Sequence, residues 1–157
     1  MTSPLPAPHP HRPRLAVRAL IVEEDRLLLV NAYPDLHLDL WCAPGGGVEP
    51  HQSLPENLAR ELFEETGLTI EVGSLALVNE FHDPDSGFHQ VEMFFRCKVI
   101  DGTVTDDWID TETVVTKRGW FTRDDVEAMH VLPESLARVA FEPTEAAEYD
   151  PLTILVK

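Results

Sequence analysis

Basic residues are scarce in this chain. Lysine and arginine total 12 against 28 aspartates and glutamates, a formal net charge of −16. A surface of that sign repels nucleic acid polymers and anionic lipid at long range. Cysteine is also rare: Cys42 and Cys97 are the only two. Both lie in apolar, strand-like runs and read as buried, reduced thiols rather than a disulfide or a nucleophile. No apolar run reaches the eighteen residues or so that a membrane-spanning helix needs. The N-terminus lacks the apolar core of a signal peptide, so a cytoplasmic protein is expected.

What is present suits a globular domain. Hydrophobic residues make up 43% of 157, enough for one core of ordinary size. Met1 to Pro13 holds Pro4, Pro6, Pro8, Pro10 and Pro13 and reads as a flexible or polyproline-type tail, with His9 and His11 as tail histidines. A single domain is expected over 14–157. Leu15 to Val22 and Arg26 to Ala32 read as a hairpin, and Tyr33 to Leu40 as a loop. Trp41 to Ala43, Thr69 to Glu71, Leu75 to Phe81, His89 to Ile100 and Gly119 to Phe121 read as strands. His82 to Gly87 is turn-rich, and Val104 to Arg118 resists assignment. Thr122 caps a helix to about Met129, and Pro133 opens another to about Ala140. Leu152 to Val156 is β-prone, suited to an edge strand or to pairing with a second subunit. Strands interleaved with helices predict an α/β layered domain with a mixed sheet.

The informative stretch is Pro44 to Leu68. Gly45, Gly46 and Gly47 form a bend whose bare backbone can approach a ligand closely. A carbonyl there can face a metal ion, and N–H groups can face phosphate oxygens. A helix follows. Ser53 with Glu56 three residues later is a capping box, Pro55 sits in the first turn, and Gly67 supplies a left-handed stop. At about 100° per residue, Leu58, Ala59, Leu62 and Phe63 share one arc, while Glu61, Glu64 and Glu65 share another, flanked by Arg60. Three like charges at helical spacing weaken a helix unless a counter-ion joins them. Carboxylate oxygens are hard ligands suited to Mg²⁺ or Mn²⁺. The plainer alternative is a solvated acidic face.

These residues resemble the Nudix box: a glycine, five residues, Glu, seven residues, then Arg-Glu-aliphatic-x-Glu-Glu-x-Gly-aliphatic. Gly46 opens it, and Arg60 through Leu68 matches every fixed place. Gln52 stands where the pattern has its first Glu, and His51 where many members carry glycine. The resemblance implies an α/β/α sandwich with a mixed sheet, and metal-dependent hydrolysis of a nucleoside diphosphate linked to another group. It implies Glu61, Glu64 and Glu65 as metal ligands with a carbonyl near Gly46, and Arg60 as the residue that orients the glutamates. Relatives often place a general base ahead of the Trp120-Phe121 position, which makes Glu112 the candidate, with Glu61 and Glu65 as catalytic acids of the box.

Gly45, Gly47 and Phe88 are candidate substrate contacts. Trp41 and Phe81 suit core packing or base stacking. Glu80 and Glu92 are strand acids that face either the site or solvent, and His82 and His89 flank the turn. Pro84 stands sixteen residues past Leu68, where some ADP-ribose-cleaving relatives carry a proline. Gln52 keeps a hydrogen-bonding amide but loses a charge, which predicts weakened metal binding. It also leaves a second reading, a Nudix-fold nucleotide-binding or sensor domain with little turnover. A third is a structural acidic helix in an unrelated domain. ADP-ribose, oxidised nucleoside triphosphates, dinucleoside polyphosphates and nucleotide sugars all fit as substrates. Dimers are frequent among relatives, so a homodimer stays open.

Overall fold

The computed structural model describes residues 12–31, 39–112 and 114–154. The expectations for the proline-rich tail up to position 11, including His9 and His11, for positions 32–38 of the Tyr33 loop, and for 155–157 fall outside these residues. Thirteen elements follow in order: β1 (Arg14–Leu20), β2 (Val22–Glu23), β3 (Arg26–Asn31), β4 (Trp41–Cys42), β5 (Gly45–Gly47), α1 (Leu54–Thr66), β6 (Thr69–Asp83), β7 (Phe88–Asp101), β8 (Arg118–Thr122), α2 (Arg123–Ala128), β9 (Val131–Leu132), α3 (Leu136–Phe141) and β10 (Glu148–Ile154).

The strands form two mixed sheets. One runs β10-β6-β7-β1-β5; the other runs β2-β3-β4-β9, with β8 also paired to β3. The expected hairpin between the first two apolar runs is much shorter than the sequence suggests. Glu24 and Asp25, both at positive φ, turn β2 onto β3, while β1 leaves for the other sheet and pairs parallel with β7 and antiparallel with β5. Apolar alternation marks β1 as a strand but carries no information about its partner. The strands expected at Thr69 to Glu71 and Leu75 to Phe81 are one strand, β6, whose pairing with β7 shifts register around Val72 to Leu77. The C-terminal strand begins at Glu148 and pairs parallel with β6, forming the edge of its sheet.

Helix α1 starts and stops where its signals place it. The Ser53 hydroxyl accepts from the Glu56 amide at 3.2 Å, and Gly67, at φ 76°, donates to the Phe63 carbonyl. Leu58 and Leu62, fully buried, pack with Val17, Ala19 and Leu28 on one side of the strands. Leu27 and Leu29 face the opposite side, with Val126 of α2 and Leu136 and Val139 of α3. The central strand β3 is therefore covered on both faces, which gives an α/β/α sandwich. Phe63, expected on the apolar arc, is 52% exposed; its edge meets the ring of Trp108, with centroids 5.5 Å apart. No helix among the described residues is long and apolar enough to cross a membrane.

Candidate active site

The three glycines of β5 form the edge of the larger sheet, beside β1. Helix α1 packs on one face of that sheet, and its acids reach past the bare glycine edge. A side chain at Gly45 would strike the Val17 carbonyl at 1.9 Å, and one at Gly46 would lie 2.6 Å from the Glu61 carboxyl carbon. Glycine is what allows the acids in. The Gly45 amide donates to Glu65 Oε2 at 2.9 Å. Asn57, fully buried, fastens helix to strand: its amide donates to the Gly47 carbonyl, and its oxygen accepts from the Glu49 amide. His51 takes φ 69°, the left-handed conformation that suits glycine at that place.

Glu61 and Glu65 line a cavity of about 580 Å³, only 7% and 8% exposed. Burial raises the Glu61 carboxyl to about 7, against the pull of Arg60, with Glu112 and Glu64 adding to the rise. Burial raises Glu65 to about 8, opposed by Arg18 and the Gly45 amide. Each shift means that negative charge at this edge is poorly compensated by the protein itself.

Glu64 lies elsewhere. Both its oxygens accept from Arg60 Nη1 at 3.1 Å, and it is not part of the cavity wall. Arg60 is shared widely: it donates to Gln52 Oε1 at 3.2 Å and to Asn57, and lies 3.4 Å from Glu61 and 3.8 Å from Glu49. Gln52 thus still holds the arginine, and Glu49 supplies a nearby negative charge.

The wall opposite the helix comes from β1 and β7. Arg14, Ala16 and Arg18 pair with Gln90, Glu92 and Phe94, so their side chains share the face that also carries Gly45 and Gly47. Arg14 donates to Gln90, Gln90 to Glu92 at 2.8 Å, and Arg18 to Glu92 at 3.2 Å. Glu92 thus lines the cavity. Glu80 does not: it pairs with His89 at 3.3 Å and accepts from Tyr149. The rings of His82 and His89 lie 6.0 Å apart. Phe81 and Phe88 line the cavity, with centroids 6.0 Å apart, while Trp41 packs edge-on against Phe121. Pro84 sits in the exposed turn. Cys97 is buried and Cys42 half-buried at the cavity wall; both are free thiols raised by burial, to about 12 and about 11.

Glu112 stands at the cavity rim in the segment the sequence left unassigned. That segment is organised from within and anchored from afar. Buried Asp110 accepts from the Glu112, Val114 and Val115 amides. The Trp108 indole donates to the Glu64 carbonyl at 2.8 Å, and Arg118 donates to the carbonyls of Glu65 and Val115. Sequence reasoning missed Arg14, Arg18, Gln90, Asn57, Trp108 and Arg118. Arg14 and Arg18 carry a legible signal, since they stand four residues apart on one face of an otherwise apolar strand; the others carry none. Among the described residues, no three His, Cys, Asp or Glu side chains are drawn together closely enough to hold an ion.

A model of the NUDIX domain matches residues 12–142. The chain is 35% identical over 106 residues to diphosphoinositol polyphosphate phosphohydrolase 2 of Rattus norvegicus, covering 66% of this chain and 53% of the relative. It is 33% identical over 93 residues to a Bacillus subtilis (strain 168) protein named as a candidate ADP-ribose pyrophosphatase, covering 57% and 43%. The chain thus spans about half the length of the curated relatives it matches. Among solved structures it resembles a UDP-X diphosphatase, with TM-score 0.65, 25% identity and 88% and 68% coverage. It shares the fold of an ADP-ribose pyrophosphatase from Streptococcus suis 89-1591, with TM-score 0.66, 23% identity and 88% and 100% coverage. With its box helix, its glycine edge and a domain match over most of its length, the chain belongs to the Nudix family.

Proposed function

We propose that the protein hydrolyses a diphosphate linkage in a small nucleoside diphosphate derivative, at the cavity between α1, β5 and β7. The observation that carries this reading is the pair Glu61 and Glu65, buried against bare backbone with their carboxyls raised to about 7 and 8. Such a pair fits a divalent cation: the donors are hard oxygens, and Arg60, Arg18 and the Gly45 amide compensate their charge only in part. Glu61 and Glu65 with the backbone at Gly46 would hold Mg²⁺ or Mn²⁺, and Glu64 would join by giving up Arg60. Bound there, the cation supplies charge neutralisation for the diphosphate and a Lewis acid for its oxygens.

The chain's own groups do the rest. The guanidiniums of Arg14 and Arg18 face the cavity and orient phosphate oxygens. Water adds to phosphorus in line with the bridging oxygen, the P–O bond breaks, and the leaving phosphate carries the electron pair away. Glu112 takes the proton of that water, because the side chains of the other cavity acids are already engaged: Glu65 by the Gly45 amide, Glu92 by Arg18 and Gln90, Glu61 by Arg60.

Charge favours one of the substrate classes that the relatives' names suggest. Among the described residues the cavity presents two cations, Arg14 and Arg18, against Glu61, Glu65, Glu92 and Glu112. A densely phosphorylated inositol ring would meet net repulsion there, whereas a nucleotide brings two phosphates and a flat base that Phe81 can contact. The test is a panel with Mg²⁺ and Mn²⁺ containing ADP-ribose, UDP-sugars and a diphosphoinositol polyphosphate. Nucleoside monophosphate release from the first two classes is expected, with loss in Glu65→Gln. Turnover of the inositol substrate alone would refute the nucleotide assignment; turnover of nothing would refute the hydrolase.

A further inference from the structure

A second chamber of about 420 Å³ opens beyond Phe81 and Leu132, which line both spaces. That volume lies within the range of small-molecule sites. The chamber is built by β6, β10 and the turn into α3, and none of the residues peculiar to it takes part in the chemistry described above. An ordered row across the larger sheet runs from this chamber to the glycine edge of the first cavity. Asp150 of β10 pairs with Asn79 of β6, Asn79 with Glu92 of β7, Glu92 with Ala16 of β1, and Ala16 with Gly47 of β5. Residues paired in this way project to the same face. Three interstrand steps separate Gly47 from Asn79, about 14 Å at ~4.8 Å per step. That distance is right for an elongated ligand whose charged end sits at the glycine edge.

The Asn79 side chain is the unexplained group. It is 5% exposed, lines the chamber, and makes no side-chain hydrogen bond to any described residue. Its polar atoms are not sealed inside the protein but open onto the chamber, where a ligand can meet them. Beside it, Asp150 has one carboxylate oxygen engaged by the Ser135 hydroxyl, leaving the other to accept. A carboxamide offers a donor and an acceptor side by side, the complement of a ring nitrogen next to an exocyclic amine, as on adenine. The second carboxylate oxygen of Asp150 is placed to complement the other N–H of such an amine.

We propose that this chamber is the base subsite, in which Asn79 and Asp150 read the amino edge of a purine. The proposal rests on the nucleotide reading above, but its test does not need turnover. AMP, IMP and ribose 5-phosphate are titrated calorimetrically into the full chain and into Asn79→Leu. Wild type is expected to bind AMP at least ~10-fold more tightly than either IMP, which lacks the amine, or base-free ribose 5-phosphate. In Asn79→Leu that preference falls by on the order of 10-fold. If Asn79→Leu does not fold, Asp150→Asn on the edge strand decides, with the same loss expected. AMP bound no better than IMP or ribose 5-phosphate by wild type, or a preference that survives the substitution, overturns the proposal. A protein that binds AMP selectively but cleaves nothing would sink the hydrolase and leave the base subsite standing.

Discussion

The two ends of α1 are held in opposite ways. The N-terminal end is secured by its neighbours: Ser53 caps the Glu56 amide, and Asn57 ties the first turns to Gly47 and Glu49, eight to ten residues away in sequence. The C-terminal end is secured by residues from a distant segment, Trp108 on the Glu64 carbonyl and Arg118 on that of Glu65. A cation also suits the partial negative charge of a helix C-terminus. The difference matters because Glu65 sits at the distant end, and the segment that anchors it also carries Glu112. Anchoring the helix and placing the rim acid are one structural task.

If that is right, substitutions at the two ends should separate stability from activity. The largest effect is expected at the acid itself. Glu65→Gln should lower kcat by roughly 10²–10³-fold while the fold persists, because a buried charge is removed rather than a packing group. Steady-state kinetics with circular dichroism checks both halves. Arg118→Met should come next, costing about 3 kcal/mol in denaturant unfolding and about 10-fold in kcat, as two carbonyls lose a buried cation and the Glu112 segment loosens. Ser53→Ala should cost about 1 kcal/mol and leave kcat where it is, since its contact is local to the other end. Equal losses of activity at Arg118 and Ser53 would erase the distinction.

The smallest effect is expected at Gln52. Its amide already accepts from Arg60, and Glu49 lies near the same guanidinium, so Gln52→Glu restores a charge to a contact that is in place. The Mg²⁺ concentration for half-maximal activity should drop by about 3-fold. No change would show that Glu49 already makes up the missing charge.

The same contrast explains what could be read from the chain. The cap at Ser53, the stop at Gly67 and the glycine bend are local features whose partners lie within a few turns, and the helix follows them closely. The α/β/α architecture follows from periodicity, because each apolar face needs a cover. The departure of β1 from its expected hairpin was not legible, since alternation specifies a face and not a neighbour. Nor were Trp108, Asp110 and Arg118, which lie in a polar stretch without period and act on atoms 44 and 53 residues away or on their own loop. Glu61 and Glu65 were legible as acids of one stripe. Their burial was not, because it depends on the absence of side chains on a strand that meets them only in the folded state.

The central claim, that Glu61 and Glu65 form a buried pair awaiting a cation, is tested most directly by denaturant unfolding from pH 5 to 9, with and without Mn²⁺. The unfolded chain releases these protons at ordinary carboxylate values, and the folded chain only at about 7 and 8. Folding therefore binds protons across that window, and metal-free stability should fall by on the order of 7 kcal/mol as pH rises through it. Mn²⁺ should restore the loss at high pH and do little at pH 5, and a Glu61→Gln, Glu65→Gln double variant should show a flatter profile that Mn²⁺ does not move. A wild-type profile as flat as the variant's, or an equal response of both to Mn²⁺, would contradict the account.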